Sequence, residues 1–177
     1  MIYLIGVDHK IQHNGNGCAD LFLRNKFSAF LKDKIQEYNI TLLAEEFNED
    51  CLKNSKANIA TIKSVAEESK IEHRFCELSE NERKKRKILS SNEIYSEKLN
   101  IHSYNGSKPN LNKEQQEIFD EEMEKSFLQR ETEWFCKIRD DLDRNILFVC
   151  GSDHIKSFKT LLIGKGYKPM VLILDRA

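Results

Sequence analysis

The sequence predicts an α/β fold: one domain over residues 1–177, with a central, mainly parallel β-sheet flanked by helices. Three observations carry this expectation. Short apolar runs alternate along the chain with longer segments of helical periodicity. The runs are apolar without clean alternation, as in strands covered on both faces. Two of them end in the same signature, Gly-x-Asp-His.

The elements follow in order. Met1 to Ile5 is a short β-branched run stopped by Gly6, a buried strand. Gln12 to Gly17 (QHNGNG) is a polar, Gly-rich, flexible loop. From Cys18 to Tyr38, Leu23, Phe27, Phe30, Leu31, Ile35 and Tyr38 recur at intervals of three and four, one face of an amphipathic helix. Ile40 to Ala44 is a second strand, running into Glu45, Glu46 and Phe47. A second helix fits Asn54 to Ser69, with Ile59, Ile62, Val65 and Ala66 inward, and Ile71 to Leu78 suits a third strand. Ser79 followed by Glu82 is a capping-box pattern that starts a short helix to Leu89. Asn100 to Asn112, with Gly106 and Pro109, is a loop. Asn112 with Gln115 caps a long helix to about Leu142, with the apolar stripe Phe119, Met123, Phe127, Trp134 and Ile138. Asn145 to Cys150 is the strongest strand. A helix from His154 to Ile163 then leads through Gly164 and Gly166 to a last strand, Pro169 to Leu174. No tandem repeat or low-complexity segment interrupts this order.

Composition narrows the function classes. A chain of 177 residues suits one domain and is tight for two. It is 40% hydrophobic and 32% charged, with 28 basic against 29 acidic residues, so no long-range field favours nucleic acid or an acidic membrane surface. Mean hydropathy is -0.59, and no apolar run approaches the roughly 20 residues of a membrane helix. Five cysteines, none at CxxC spacing, argue against a zinc knuckle or a thioredoxin-like motif. With an N-terminus that lacks a signal-peptide pattern, the expected location is cytoplasmic. No Gly-x-Ser-x-Gly elbow, P-loop, Gly-x-Gly-x-x-Gly or HExxH is present.

The repeated signature is the strongest functional signal. Gly6, Asp8 and His9 follow the first strand; Gly151, Asp153 and His154 follow the strongest later one. Seven glycines and five histidines give about 0.2 chance Gly-x-x-His pairs at average usage, and two occur at the same structural position. Ligands of open parallel sheets bind beyond the carboxyl ends of the strands. Glycine there allows a sharp turn, letting the following side chains enter that crevice. His9 and His154 are therefore expected to share a pocket, although a single such histidine more often caps a helix or bonds a loop carbonyl.

Glu45 and Glu46 end the second strand at the same edge, and one of the two should face the crevice. Two imidazoles and a carboxylate from separate strand ends suit a divalent metal with open positions (Mn, Co, Zn or Fe), or general acid–base chemistry without one. Arg130 lies on the apolar stripe of the long helix, where a permanent charge needs a carboxylate, a carbonyl or an anionic ligand unless its head reaches water. Glu77 ends the third strand and is a further candidate for the crevice. His73 reads as structural, His13 and His102 have no repeated context, and the basic run Arg83 to Lys87 reads as a solvated helix face.

Taken together, the Gly-x-x-His at Gly6–His9, the strand-end Glu45 and Glu46, the segment LQRETEWFCKI with Arg130 and Trp134, and the second Gly-x-x-His at Gly151–His154 resemble the TraB/TIKI-type superfamily. That group also takes in PrgY- and GumN-like proteins and, more distantly, erythromycin-esterase and ChaN-like proteins. The resemblance implies an α/β fold in which both motifs, a glutamate and the arginine line one site. In the TIKI branch it implies a divalent-metal-dependent hydrolase of peptide bonds; in the erythromycin-esterase branch, histidine-based ester hydrolysis. The leading expectation is a metal-dependent hydrolase of a peptide or ester bond, acting on a small-molecule or peptide substrate. His9 and His154 would be metal ligands or acid–base groups, Glu45 or Glu46 a ligand or base, and Arg130 a clamp for a carboxylate or oxyanion. The alternative is a non-catalytic protein holding a small anionic ligand or haem, or serving regulation, in the same crevice.

Overall fold

The computed structural model describes residues 1–102 and 109–174. Five strands form one parallel sheet: β1 (Ile2–Val7), β2 (Leu42–Glu45), β3 (Glu72–Phe75), β4 (Ile146–Gly151) and β5 (Met170–Leu172). Their spatial order is β3-β2-β4-β1-β5. The helices are α1 (Leu21–Glu37), α2 (Glu49–Asn54), α3 (Thr61–Ser69), α4 (Glu80–Arg86), α5 (Ser91–Glu93), α6 (Lys113–Ile138) and α7 (Ile155–Gly164). A π turn over Ile94–Lys98 extends α5.

The inner strands β1, β2 and β4 are buried because both faces are covered, while the edge strands β3 and β5 are partly exposed. Tyr3, Ile5, Val7, Leu43, Leu147 and Val149 pack with α1 and α3, through Phe27, Leu31, Ile62 and Val65. Ile2, Leu4, Leu42, Ala44, Ile146, Phe148 and Cys150 meet α6 and α7, through Trp134, Ile138, Phe158 and Leu162. Alternation by the pleat sends neighbouring residues to opposite faces, yet both destinations are apolar. The sequence therefore reads as continuous hydrophobic runs. The connection from β1 to β2 passes over one face by α1, and that from β4 to β5 over the other by α7. β1 and β4 lie side by side, with Val7 opposite Gly151. Their chains leave the carboxyl edge in opposite directions, which opens a crevice between them.

Local chemistry sets the helix ends. Asp20 caps α1 by accepting from the Leu23 amide at 2.8 Å, so the helix begins later than Cys18 and Leu23 stays exposed. Asn112 and Gln115 form the expected capping box of α6, and Ser79 and Glu82 that of α4. The helix expected over Asn54 to Ser69 forms only from Thr61, as α3, and a short helix outside that expectation, α2, precedes it. α2 is capped by Asn48 and stops at Asn54, Lys56 adopts a positive φ of 53°, and α3 starts only at Thr61. Ile59, outside both, is exposed rather than inward. The loop from Gln12 to Gly17 docks in this break: the Asn16 amide donates to the Ser55 carbonyl at 2.6 Å and the Thr61 amide to that of Gln12 at 2.8 Å. A Cβ on Gly15 would come within 2.2 Å of the Ser55 carbonyl oxygen, so glycine alone permits this approach. The segment read as a flexible loop is thus pinned. Of the loop expected over Asn100 to Asn112, residues 103–108, with Gly106, lie outside the described residues; the described remainder is neither helix nor strand. Among the described residues no helix is long and apolar enough to cross a membrane.

Phe148 is fully buried between Trp134 and Phe158, with ring centroids 5.5 and 4.8 Å away. Phe148→Ala should cost about 3–5 kcal/mol, read from the shift in the urea unfolding midpoint.

Candidate functional site

Strand ends supply the site. β1 ends at Val7; Asp8 then accepts from the Lys10 amide at 3.0 Å and starts a 3-10 turn carrying His9. β4 ends at Gly151 and continues into a 3-10 turn with His154 at its end. The two imidazoles do meet: Nε2 of His9 and Nε2 of His154 lie 3.7 and 3.5 Å from the same oxygen, Oε1 of Glu46. Arg130 joins them from α6. These four residues line a cleft of about 500 Å³ together with Met123, Phe127 and Gly151.

The glycines of the signature act by leaving space. Neither has a positive φ, and Gly151 sits at φ -56°, ψ 142°. A Cβ on Gly151 would lie 2.8 Å from Nε2 of His9; one on Gly6 would lie 2.7 Å from Ile155 Cγ1. The expectation of a sharp turn is corrected: each glycine permits a close approach, and at Gly151 the approaching group is the His9 imidazole.

The pleat separates the two glutamates. Glu45 follows Leu43 toward the α1 and α3 face, where its carboxylate meets His73 Nε2 at 2.7 Å and accepts from Gln12 Nε2 at 3.0 Å. Glu46 turns to the opposite side, accepts from the Gly151 amide at 2.7 Å and is bonded by Arg130 Nη2. Glu46 is in the cleft; Glu45 stands behind it, one residue removed from His9.

Arg130 is the centre of the polar network. Its Nε and Nη2 donate to Glu77, the Nη2 bond being 2.7 Å, and its Nη1 faces His154 Nε2 at 3.2 Å. Trp134 Nε1 donates to the other side of Glu77 Oε2 at 3.1 Å. Burial works against the guanidinium's charge, but Glu77 and Glu46 hold it above its ordinary value. The Arg130 head thus meets carboxylates while its side chain stays 15% exposed at the cleft. Four of its five N–H bonds have these partners; among the described residues the fifth, on Nη1, is left for the cleft.

Protonation follows from these partners. A guanidinium only donates, so His154 Nε2 accepts, and the imidazole proton sits on Nδ1, 2.8 Å from Glu131 Oε1. Ser157 Oγ donates to the same Glu131 oxygen at 2.5 Å. His9 differs: its side chain is 50% exposed, and its Nδ1 lies 2.5 Å from Gln12 Oε1. Burial pushes the Glu45 carboxyl above its ordinary range, against the bonds from His73 and Gln12. The thiols of Cys150 and Cys76 are likewise pushed up by burial, Cys76 to about 12, which leaves them unreactive packing groups.

The fit of a metal can be tested on the donor atoms. Guanidinium nitrogens of Arg130 already cover His154 Nε2 and Glu46 Oε1, two of the atoms an ion would need. Among the described residues no group of three or more His, Cys, Asp or Glu side chains is arranged to hold one. The donor set as folded suits an arginine-centred site. Sequence reasoning missed Gln12 and Glu131; both are buried polar residues whose neighbours come from distant parts of the chain. His73, which reads as structural in the sequence, bonds Glu45, and Glu77 joins the cluster as Arg130's main partner. His13 and His102 lie apart: His13 stacks on Phe47 and His102 pairs with Asn100.

No family model, curated protein or solved structure matches this chain. The site is therefore defined by its own geometry.

Two outcomes check this network. Arg130→Met leaves Glu46 and Glu77 buried without their cation and should destabilise the protein by about 3–5 kcal/mol in chemical denaturation at neutral pH. Adding Glu77→Gln to that variant should recover part of the loss. Glu45 binds its proton more tightly folded than unfolded, so it lowers stability as pH rises from the ordinary carboxylate value through its raised folded one. Glu45→Gln should make the fall in unfolding free energy between pH 4 and pH 8 shallower.

Proposed function

We propose that the cleft hydrolyses a neutral ester or amide carbonyl by general acid–base catalysis, with His9 as the base and Arg130 as the oxyanion donor. The observation that carries this reading is the half-exposed His9 imidazole, with Nε2 facing the cleft beside Glu46 while Nδ1 is engaged by Gln12. This chemistry is the histidine-based branch of the resemblance. It also uses the acid–base alternative open to the same residues in the sequence.

Each group has a defined part. His9 Nε2 takes a proton from a water molecule as that water attacks the carbonyl carbon. The imidazolium so formed is stabilised by the Glu46 carboxylate 3.7 Å away. Negative charge gathering on the carbonyl oxygen is met by the free Nη1–H of Arg130. His9 then returns its proton to the departing alkoxide or amine. His154, with its proton on the Glu131 side, holds the guanidinium in place and is a positioning residue. Glu46 and Glu77 together outweigh the charge of Arg130, so a neutral carbonyl suits the cleft better than an anion. Met123 and Phe127 give it an apolar wall.

The test is hydrolysis of a panel of neutral p-nitrophenyl esters and acyl anilides. Wild-type protein should turn over at least one of them with no change on adding a chelator, and His9→Ala should lower kcat/KM by about 100-fold or more. Absence of wild-type turnover across the panel, or activity that survives His9→Ala, would overturn the assignment. Loss of activity with the chelator would return the metal-dependent version.

A further inference from the structure

We infer that Gln12 and Glu45 are positioning residues that decide which nitrogen of His9 carries the proton. Gln12 is fully buried although it lies in a polar loop, and Glu45 is equally buried at the end of β2. Their side chains form a chain running from His73 Nε2 through Glu45 and Gln12 to His9 Nδ1, with heavy-atom distances of 2.7, 3.0 and 2.5 Å.

The direction of this chain is set at its buried end. An amide offers an oxygen that accepts and a nitrogen that donates, and the two differ only by a rotation. With the carboxyl ionised, or with its proton on the oxygen facing His73, the Glu45 oxygen facing Gln12 accepts, and Gln12 turns its NH₂ to Glu45 and its oxygen to His9. A proton on the oxygen facing Gln12 would reverse the chain and put the His9 proton on Nε2, the outcome that overturns the inference. A carbonyl oxygen only accepts, so His9 Nδ1 must donate. The lone pair is left on Nε2, at the cleft. An isolated imidazole prefers the opposite arrangement, with the proton on Nε2, which would leave no acceptor facing the cleft. The backbone reinforces the placement, because the Gln12 carbonyl is fixed by the Thr61 amide at 2.8 Å. A neutral amide next to His9 orients the ring without placing a negative charge on it, unlike a carboxylate orienter.

This inference rests on the reading of His9 as the base, but its decisive measurement needs no substrate. Protein labelled with ¹⁵N-histidine is examined by long-range ¹H–¹⁵N correlation in mildly alkaline buffer, with His9 assigned from the signal absent in His9→Asn. Wild-type His9 should show a protonated Nδ1 and an unprotonated Nε2. Gln12→Met, of similar shape without the acceptor, should move His9 toward the Nε2–H form. Gln12→Glu, which keeps an acceptor at Nδ1, should preserve the wild-type pattern. Glu45→Met, which frees the amide to rotate, should give a mixture. A dispersed backbone amide spectrum in each variant establishes that it has folded. His9 protonated on Nε2 in the wild type, or an unchanged pattern in folded Gln12→Met, overturns the inference.

On whichever ester the wild type hydrolyses, Gln12→Met should lower kcat by 10-fold or more with KM little changed, and Gln12→Glu should recover most of it. Should no ester be hydrolysed while the spectra behave as described, the hydrolase reading fails and the positioning of His9 stands.

Discussion

A buried guanidinium cannot discharge itself, and that constraint organises this molecule. Arg130 enters from α6 at the carboxyl edge of the sheet, where its side chain is only 15% exposed. Glu46 after β2, Glu77 after β3 and His154 after β4 turn inward to meet it. Three strand ends and one long helix are thus tied at a single charge. The ties continue outward: Trp134 shares Glu77, Gly151 donates its amide to Glu46, and Lys137 donates to the Glu77 carbonyl at 3.1 Å. An ion pair of this kind contributes little net stability, because desolvation offsets the attraction. Its value lies in fixing geometry, since any displacement strands a charge in an apolar setting.

The sheet makes that geometry possible. β1 and β4 are central neighbours whose following helices depart over opposite faces, so the edge between them is left open. The two Gly-x-Asp-His turns sit on either side of this opening. Gly151 has no side chain, so the His9 ring occupies the space beside it. The site is therefore assembled by packing at a distance of more than 140 residues along the chain. The 3-10 turns that carry the histidines are short; Asp8 caps the first, and the second runs directly from β4 into α7.

His9 and His154 share a motif and a glutamate but stand in different surroundings. His154 is buried, with Glu131 on one nitrogen and Arg130 on the other. His9 is half exposed, with an amide on one nitrogen and open cleft on the other. One environment engages both nitrogens of an imidazole; the other leaves Nε2 on the cleft. The local sequence around the two motifs gives no sign of this difference, on which the proposed division between a base and its positioning residue rests.

Short apolar runs alternating with helical segments made the parallel α/β arrangement legible through β1, β2 and β4; the edge strand β3, with Glu72, His73 and Arg74, carries no such signal. The sequence by itself also placed His9, His154, a glutamate after β2 and Arg130 at one edge, because a repeated four-residue pattern after two strands is a local feature. Capping boxes at Ser79 and Asn112 were legible for the same reason. Other features were decided only by tertiary structure. Choosing Glu46 over Glu45 depended on which face of the pleat met α6. The break between α2 and α3 depended on the Gln12–Gly17 loop docking there, which periodicity cannot register. The roles of Gln12, Glu77 and Glu131 came from partners 23 to 57 residues away. A buried polar residue is identified by what satisfies it, and that partner is chosen by the fold.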